Sequence, residues 1–140
     1  MTELSVNIEH TINAPIERVF DAWLDPAWLS RFILPMRGMP APEVETDARE
    51  GGRFSIIMQV GDDKIPHTGT YRVIDRPHRL AFTWESPYST DDSIVTLVFS
   101  EVESGRTRVE LSHVRFVHEE ARSDHEGGWR TILETLAEVI

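Results

Sequence analysis

The chain is 140 residues long and carries 24 Asp and Glu against 14 Lys and Arg, a formal net charge of −10. That length makes one domain, residues 1–140, and that charge excludes nucleic acid and anionic membrane surfaces, both of which are bound by clustered Lys and Arg. A hydrophobic content of 40% is that of a soluble globular protein, and the absence of cysteine removes disulfides, thiolate metal sites and a cysteine nucleophile together.

Met1 to Ser5 lacks the basic and then apolar run of a signal peptide, and no stretch approaches a membrane span. The expected location is therefore cytoplasmic. Ser5 to Ile12 alternates, with Val6, Ile8, His10 and Ile12 on one face, and is predicted to be a strand. Asn13-Ala14-Pro15 breaks it, and Ile16, Val19, Phe20 and Trp23 form the stripe of a first helix. Asp25-Pro26 repeats the cap-then-proline signal before a second short helix with Trp28, Leu29 and Phe32 on its buried side. Residues 34–42 hold three prolines and a glycine and are expected to form a loop.

From Glu43 the period changes from 3.6 to 2. Glu43 to Asp47 is a weak strand closed by Gly51-Gly52, and Phe54, Ile56, Met58 and Val60 alternate along the next one. After a hairpin turn at Gly61–Lys64, His67, Gly69, Tyr71 and Val73 share a face. Leu80, Phe82 and Trp84 then alternate against Ala81, Thr83 and Glu85. A polar loop, Ser86 to Asp92, leads to Ser93–Glu101, whose continuous apolar run leaves its inner face open. Thr107, Val109, Leu111 and His113 alternate in the last strand.

Glu119 to Ile140 is a long helix. Ala121, His125, Gly128, Trp129, Ile132, Leu133, Leu136, Ala137 and Ile140 fall on one stripe of it. Gly127 and Gly128 each cost about 1 kcal/mol relative to Ala in a helix interior, so they imply space kept for something. Short turns favour an antiparallel meander, and only this helix is long enough to cover its apolar face. The pattern predicts an α+β helix-grip fold, with a sheet curved around the C-terminal helix.

Ala14-Pro15-Ile16-Glu17-Arg18-Val19-Phe20-Asp21-Ala22-Trp23 followed by Asp25-Pro26 resembles the N-terminal signature of the SRPBCC (START/Bet v 1-like) superfamily. More closely it resembles the branch related to the C-terminal domain of the activator of the Hsp90 ATPase. Glu50-Gly51-Gly52-Arg53-Phe54, Gly69-Thr70-Tyr71 through Arg79–Trp84, and Gly128-Trp129 through Leu133 and Leu136 extend the resemblance over nearly the whole chain. It implies a seven-stranded antiparallel sheet gripping the helix around a hydrophobic cavity that serves carriers, binders, cyclases or hydratases. A tryptophan pair often follows the Asp-Pro helix in this branch; Phe32-Ile33 stands there instead. The Hsp90 activator carries a further N-terminal domain that this sequence lacks, so a chaperone partner is not the expectation.

Candidate ligand-binding residues follow from the faces argued above. They are Met58, Tyr71, Phe82 and Trp84, then Leu97, Val109 and Leu111, with Trp129 and Leu133 on the helix. Trp28 and Phe32 are placed over the mouth. The polar candidates are His67, His113 and His125 with the Tyr71 hydroxyl, and His113 and His125 are expected to approach at one end of the cavity. Arg53 is assigned to a structural ion pair rather than to a ligand carboxylate. No HExxH spacing supports a metal, no G-x-S-x-G elbow supports a serine nucleophile, and no cofactor is implied. The expected function is binding of a small hydrophobic molecule as carrier or sensor. The alternatives are a cyclase, dehydratase or hydrolase acting in the same cavity, and, further off, an Hsp90-activator-like interaction module. A homodimer through an exposed sheet edge is compatible with the pattern.

Overall fold

The computed structural model describes residues 4–87, 89, 92–116 and 118–140, so part of the predicted Ser86–Asp92 loop lies outside the described residues. The elements run β1 (Ser5–Ile12), α1 (Ile16–Ala22), α2 (Pro26–Phe32), β2 (Glu43–Thr46), β3 (Arg53–Val60), β4 (Asp63–Asp75), β5 (Arg79–Thr83), β6 (Ile94–Glu103), β7 (Arg106–Val114) and α3 (Glu119–Val139). The strands form one seven-stranded sheet in the order β1-β7-β6-β5-β4-β3-β2, antiparallel throughout. Only β1 leaves sequence order, crossing to pair with β7, so β1 and β2 form the edges. This is the α+β helix-grip arrangement.

The helices begin where side chains satisfy free N–H groups. Asp25 Oδ1 accepts from Ala27 N at 2.9 Å ahead of Pro26, and His118 Nδ1 accepts from Ala121 N at 3.2 Å. Glu119 and Glu120 then sit in the first turn of α3, where the helix dipole favours negative charge. Pro15 precedes α1 as its cap residue, with no side-chain cap bond.

Inner faces follow the cross-strand pairs. Val95, Leu97 and Phe99 of β6 stand opposite His113, Leu111 and Val109 of β7, which settles the face that the apolar run left open. All six are buried. The register shifts twice, between Glu101 and Glu103 near the end of β6 and, on the strand that faces the site, in β4. Tyr71 pairs with Phe82 but Val73 with Ala81, so Arg72 is an extra residue and β4 bulges there. Ile74, opposite Leu80, returns to the inner face, and Val73 turns outward instead of continuing from Tyr71.

Helix α1 lays Phe20 edge-on against Phe99 at 5.1 Å, and Trp23 meets Phe32 of α2 at the same distance. Helix α3 packs over β1 and against α2 through Trp129, Ile132, Leu133 and Leu136. Gly69 on β4 is a forced choice, because a Cβ there would run into the Thr83 carbonyl oxygen and the Phe54 ring. We expect Gly69→Ala to lower the unfolding free energy in urea by about 2 kcal/mol or more, the range of overpacked core sites. An unchanged midpoint would show that the Phe54 ring yields freely.

Candidate functional site: an open pocket beside the C-terminal helix

Between the first half of α3 and the outer strands the two layers separate. The space is a pocket of about 1010 Å³ that opens to solvent. Its helix wall includes Ala121, His125, Gly127, Gly128, Trp129 and Ile132, with Glu120 and Asp124 also in the lining; the β3–β4 hairpin contributes Met58, Val60, Ile65 and His67. Trp84, Pro87 and Ser89 close one side, and Pro35, Met36 and Met39 of the loop after α2 close the other. Three of the four methionines of the chain therefore line one pocket, and methionine is the side chain best suited to irregular apolar surfaces.

The two helix glycines have different reasons. A Cβ on Gly128 would stand 3.0 Å from Pro35 Cβ, so this glycine lets the α2–β2 loop close against α3. A Cβ on Gly127 would meet nothing within 4 Å. Gly127 is exposed and lies at the border of the pocket. The second half of α3 is packed solidly through Leu133 and Leu136, so the cavity is neither enclosed nor extended along the whole helix.

The profile described as Activator of Hsp90 ATPase homolog 1-like protein matches residues 13–140. The chain belongs to that family. Among solved structures, the AHSA1-like protein of Aeromonas hydrophila is 27% identical with a TM-score of 0.81, over 96% of this chain and 90% of that one. CalU16 of Micromonospora echinospora is 28% identical with a TM-score of 0.72, over 96% of this chain and 74% of that one. An HSP90 activator of Plasmodium falciparum is 23% identical with a TM-score of 0.76, over 97% and 95%, a likeness of fold alone. A comparison with curated proteins returned no match.

On this Hsp90-activator-like fold the predicted site residues divide. Met58, His67, Trp84, His125 and Trp129 line the pocket. Tyr71 and Phe82 instead border a separate void of about 10 Å³ beneath Phe54, where burial pushes the Tyr71 hydroxyl pKa up. Leu97, Val109, Leu111 and Leu133 are outside the lining and fill the core, for they lie deeper on the inner face or farther along α3. Phe32 is fully buried against Trp23, and Trp28 is half-buried against the core with the guanidinium groups of Arg18 and Arg31 over its ring. Neither covers the mouth. Arg53 is held by Thr70 at 2.9 Å and Glu85 at 3.2 Å, a structural pairing. The sequence reasoning missed the Pro35–Met39 segment, whose signal was two methionines in a stretch taken only as a loop.

His113 is buried behind the pocket, and its hydrogen bonds specify its tautomer. Trp129 Nε1–H can only donate, so His113 Nδ1, 3.0 Å away, is the bare nitrogen. Nε2–H then donates to Ser93 Oγ at 3.2 Å, and the Ser93 hydroxyl in turn donates to the Trp84 carbonyl at 2.6 Å. His125 approaches edge-on with 5.3 Å between ring centroids, but its Nδ1–H donates to the Ala121 carbonyl at 2.8 Å. The two histidines adjoin without sharing a proton. With both nitrogens committed, His113 is a strut between sheet and helix and has no lone pair or proton to offer a substrate.

Burial holds the His113 pKa down to about 3, with the charge of His125 adding to the effect. Burial likewise takes His67 down to about 4, partly offset by the Ile65 and Ile56 carbonyls. Below a pH of about 6.5 the unfolded chain binds protons that these folded histidines refuse, so stability falls as pH drops toward those values. Urea titrations from pH 7 to 4.5 should show this loss, and His113→Gln should flatten the slope by up to about 1.4 kcal/mol per pH unit. An unaltered slope would mean that His113 protonates freely in the folded protein.

Proposed function

We propose that the chain binds a small apolar molecule in the open pocket, as a carrier or sensor. The observation that carries this reading is an apolar-lined space of about 1010 Å³ with glycine at the helix position facing it. That volume is at the upper end of ordinary ligand sites, and a mainly apolar wall with a few polar groups is their usual composition. Met58, Trp84 and Trp129 would contact the body of the ligand, while His67 and His125 supply hydrogen-bonding groups. Membership of a family whose fold commonly binds hydrophobic ligands agrees with it. The alternative, an enzyme using His113, His125 or Tyr71 for proton transfer, has less support at His113, whose two nitrogens are both hydrogen-bonded within the protein.

Gly127 provides the test, because a side chain added there enters open space rather than packed protein. The neutral fluorophore N-phenyl-1-naphthylamine should bind the wild type saturably with enhanced emission. Gly127→Leu should abolish the enhancement while keeping or raising the thermal midpoint, since leucine is the better helix former by about 0.8 kcal/mol. Equal binding by both proteins would place the fluorophore elsewhere and remove the pocket as the site.

A further inference from the structure

The charge inventory of the pocket points to a ligand sign. Among the described residues no Lys or Arg lines it, whereas Glu120 and Asp124 do. The nearby cations are occupied: Arg122 is bound by Glu119 at 2.7 Å and by Glu126 at 3.3 Å, Arg37 by Glu138 at 2.6 Å, and Lys64 lies 3.9 Å from Glu43. Glu120 and Asp124, one helical turn apart on the same face of α3, have no ion-pair partner among the described residues. His125 lines the same wall, with its Nδ1–H given to the Ala121 carbonyl. The carboxylates do not make the site. The apolar pocket does, and they give its rim a sign.

We propose that the pocket selects an amphiphilic amine, an apolar chain or ring system carrying a protonated nitrogen, over the fatty acid of the same length. The apolar body lies on Met58, Trp84 and Trp129, and the ammonium group lies at the rim beside Glu120 and Asp124. An anionic head group at that rim meets two uncompensated like charges and no cation. The inference rests on the pocket being the binding site, and it adds which head group that site accepts.

The test is a displacement series on the full chain with three ten-carbon probes, decylammonium, decanol and decanoate, against bound N-phenyl-1-naphthylamine. At low salt decylammonium should bind about tenfold more tightly than decanoate, with decanol between them, because exposed charges a few ångströms apart still interact measurably in water. High salt, and the double variant Glu120→Gln with Asp124→Asn, should bring the ratio toward one. Gly127→Leu should abolish binding of all three, which separates the pocket from adsorption of a cation to a protein of charge −10. Decanoate binding as tightly as decylammonium, a ratio unmoved by the double variant, or amine binding that survives Gly127→Leu would each overturn the proposal. Decanol binding without any charge preference would overturn it while leaving the pocket as the site; no binding of any probe would overturn both.

Discussion

Trp129 is where the helix is fastened to the sheet, and the height at which it is fastened decides the shape of everything nearby. Its ring is buried against Trp84 with 5.0 Å between centroids, and its Nε1–H is satisfied by His113. Burying an indole N–H costs stability unless the donor finds a partner; Trp23, equally buried, has none for its Nε1–H among the described residues, whereas Trp129 has one. Here the partner is itself anchored by Ser93 to the backbone of Trp84. The chain of bonds ties α3, β7 and the segment before β6 into one unit. Residues after Trp129 descend into the core through Ile132, Leu133 and Leu136, while those before it stand clear of the β3–β4 hairpin and leave the pocket.

That pocket exists because local stability is given up around it. Two adjacent glycines weaken the helix where it could have been filled with alanine or leucine. One of them lets Pro35 close against the helix, and the other lies at the border of the pocket with open space in front of it. Met36 and Val60 remain substantially exposed at its rim, an arrangement that is costly in water unless something covers it. His67 Nδ1 is likewise buried without a hydrogen-bond partner in the same wall. Departures of the same kind occur elsewhere too, at the unpartnered Trp23 Nε1 and at exposed Val98 and Val102, but at the pocket an open space accompanies them.

Charge is arranged by the same division. The arginines of the outer surface are mostly committed to carboxylates, as in Arg76 with Asp21 at 2.8 Å and Arg37 with Glu138. Such exposed pairs contribute little stability individually. Their consequence is that the surplus of acid over base is left unneutralised at positions such as the mouth of the pocket.

The strands and helices were legible in the sequence because period 2 and period 3.6 are local properties, and one apolar face per element allows few ways of stacking them. The α3 stripe, the cap at Asp25 and the hairpin at Gly61 all followed from neighbours in the chain. What escaped was set by residues distant in sequence. The bulge at Arg72 arises from how β4 matches β5, and it reverses the faces of Val73 and Ile74. His113 read as a candidate acid or base until Trp129 and Ser93 were seen to occupy both of its nitrogens. Trp28 and Phe32 read as a lid, yet α2 buries Phe32 fully and half-buries Trp28 against the core under Arg18 and Arg31, and neither lines the pocket. The sequence by itself determined the elements, their order and the helix-grip fold, since hydrophobic periodicity carries that information residue by residue. Only the tertiary structure decided which apolar residues border space and which border one another, because a cavity is a property of surfaces that meet across the fold.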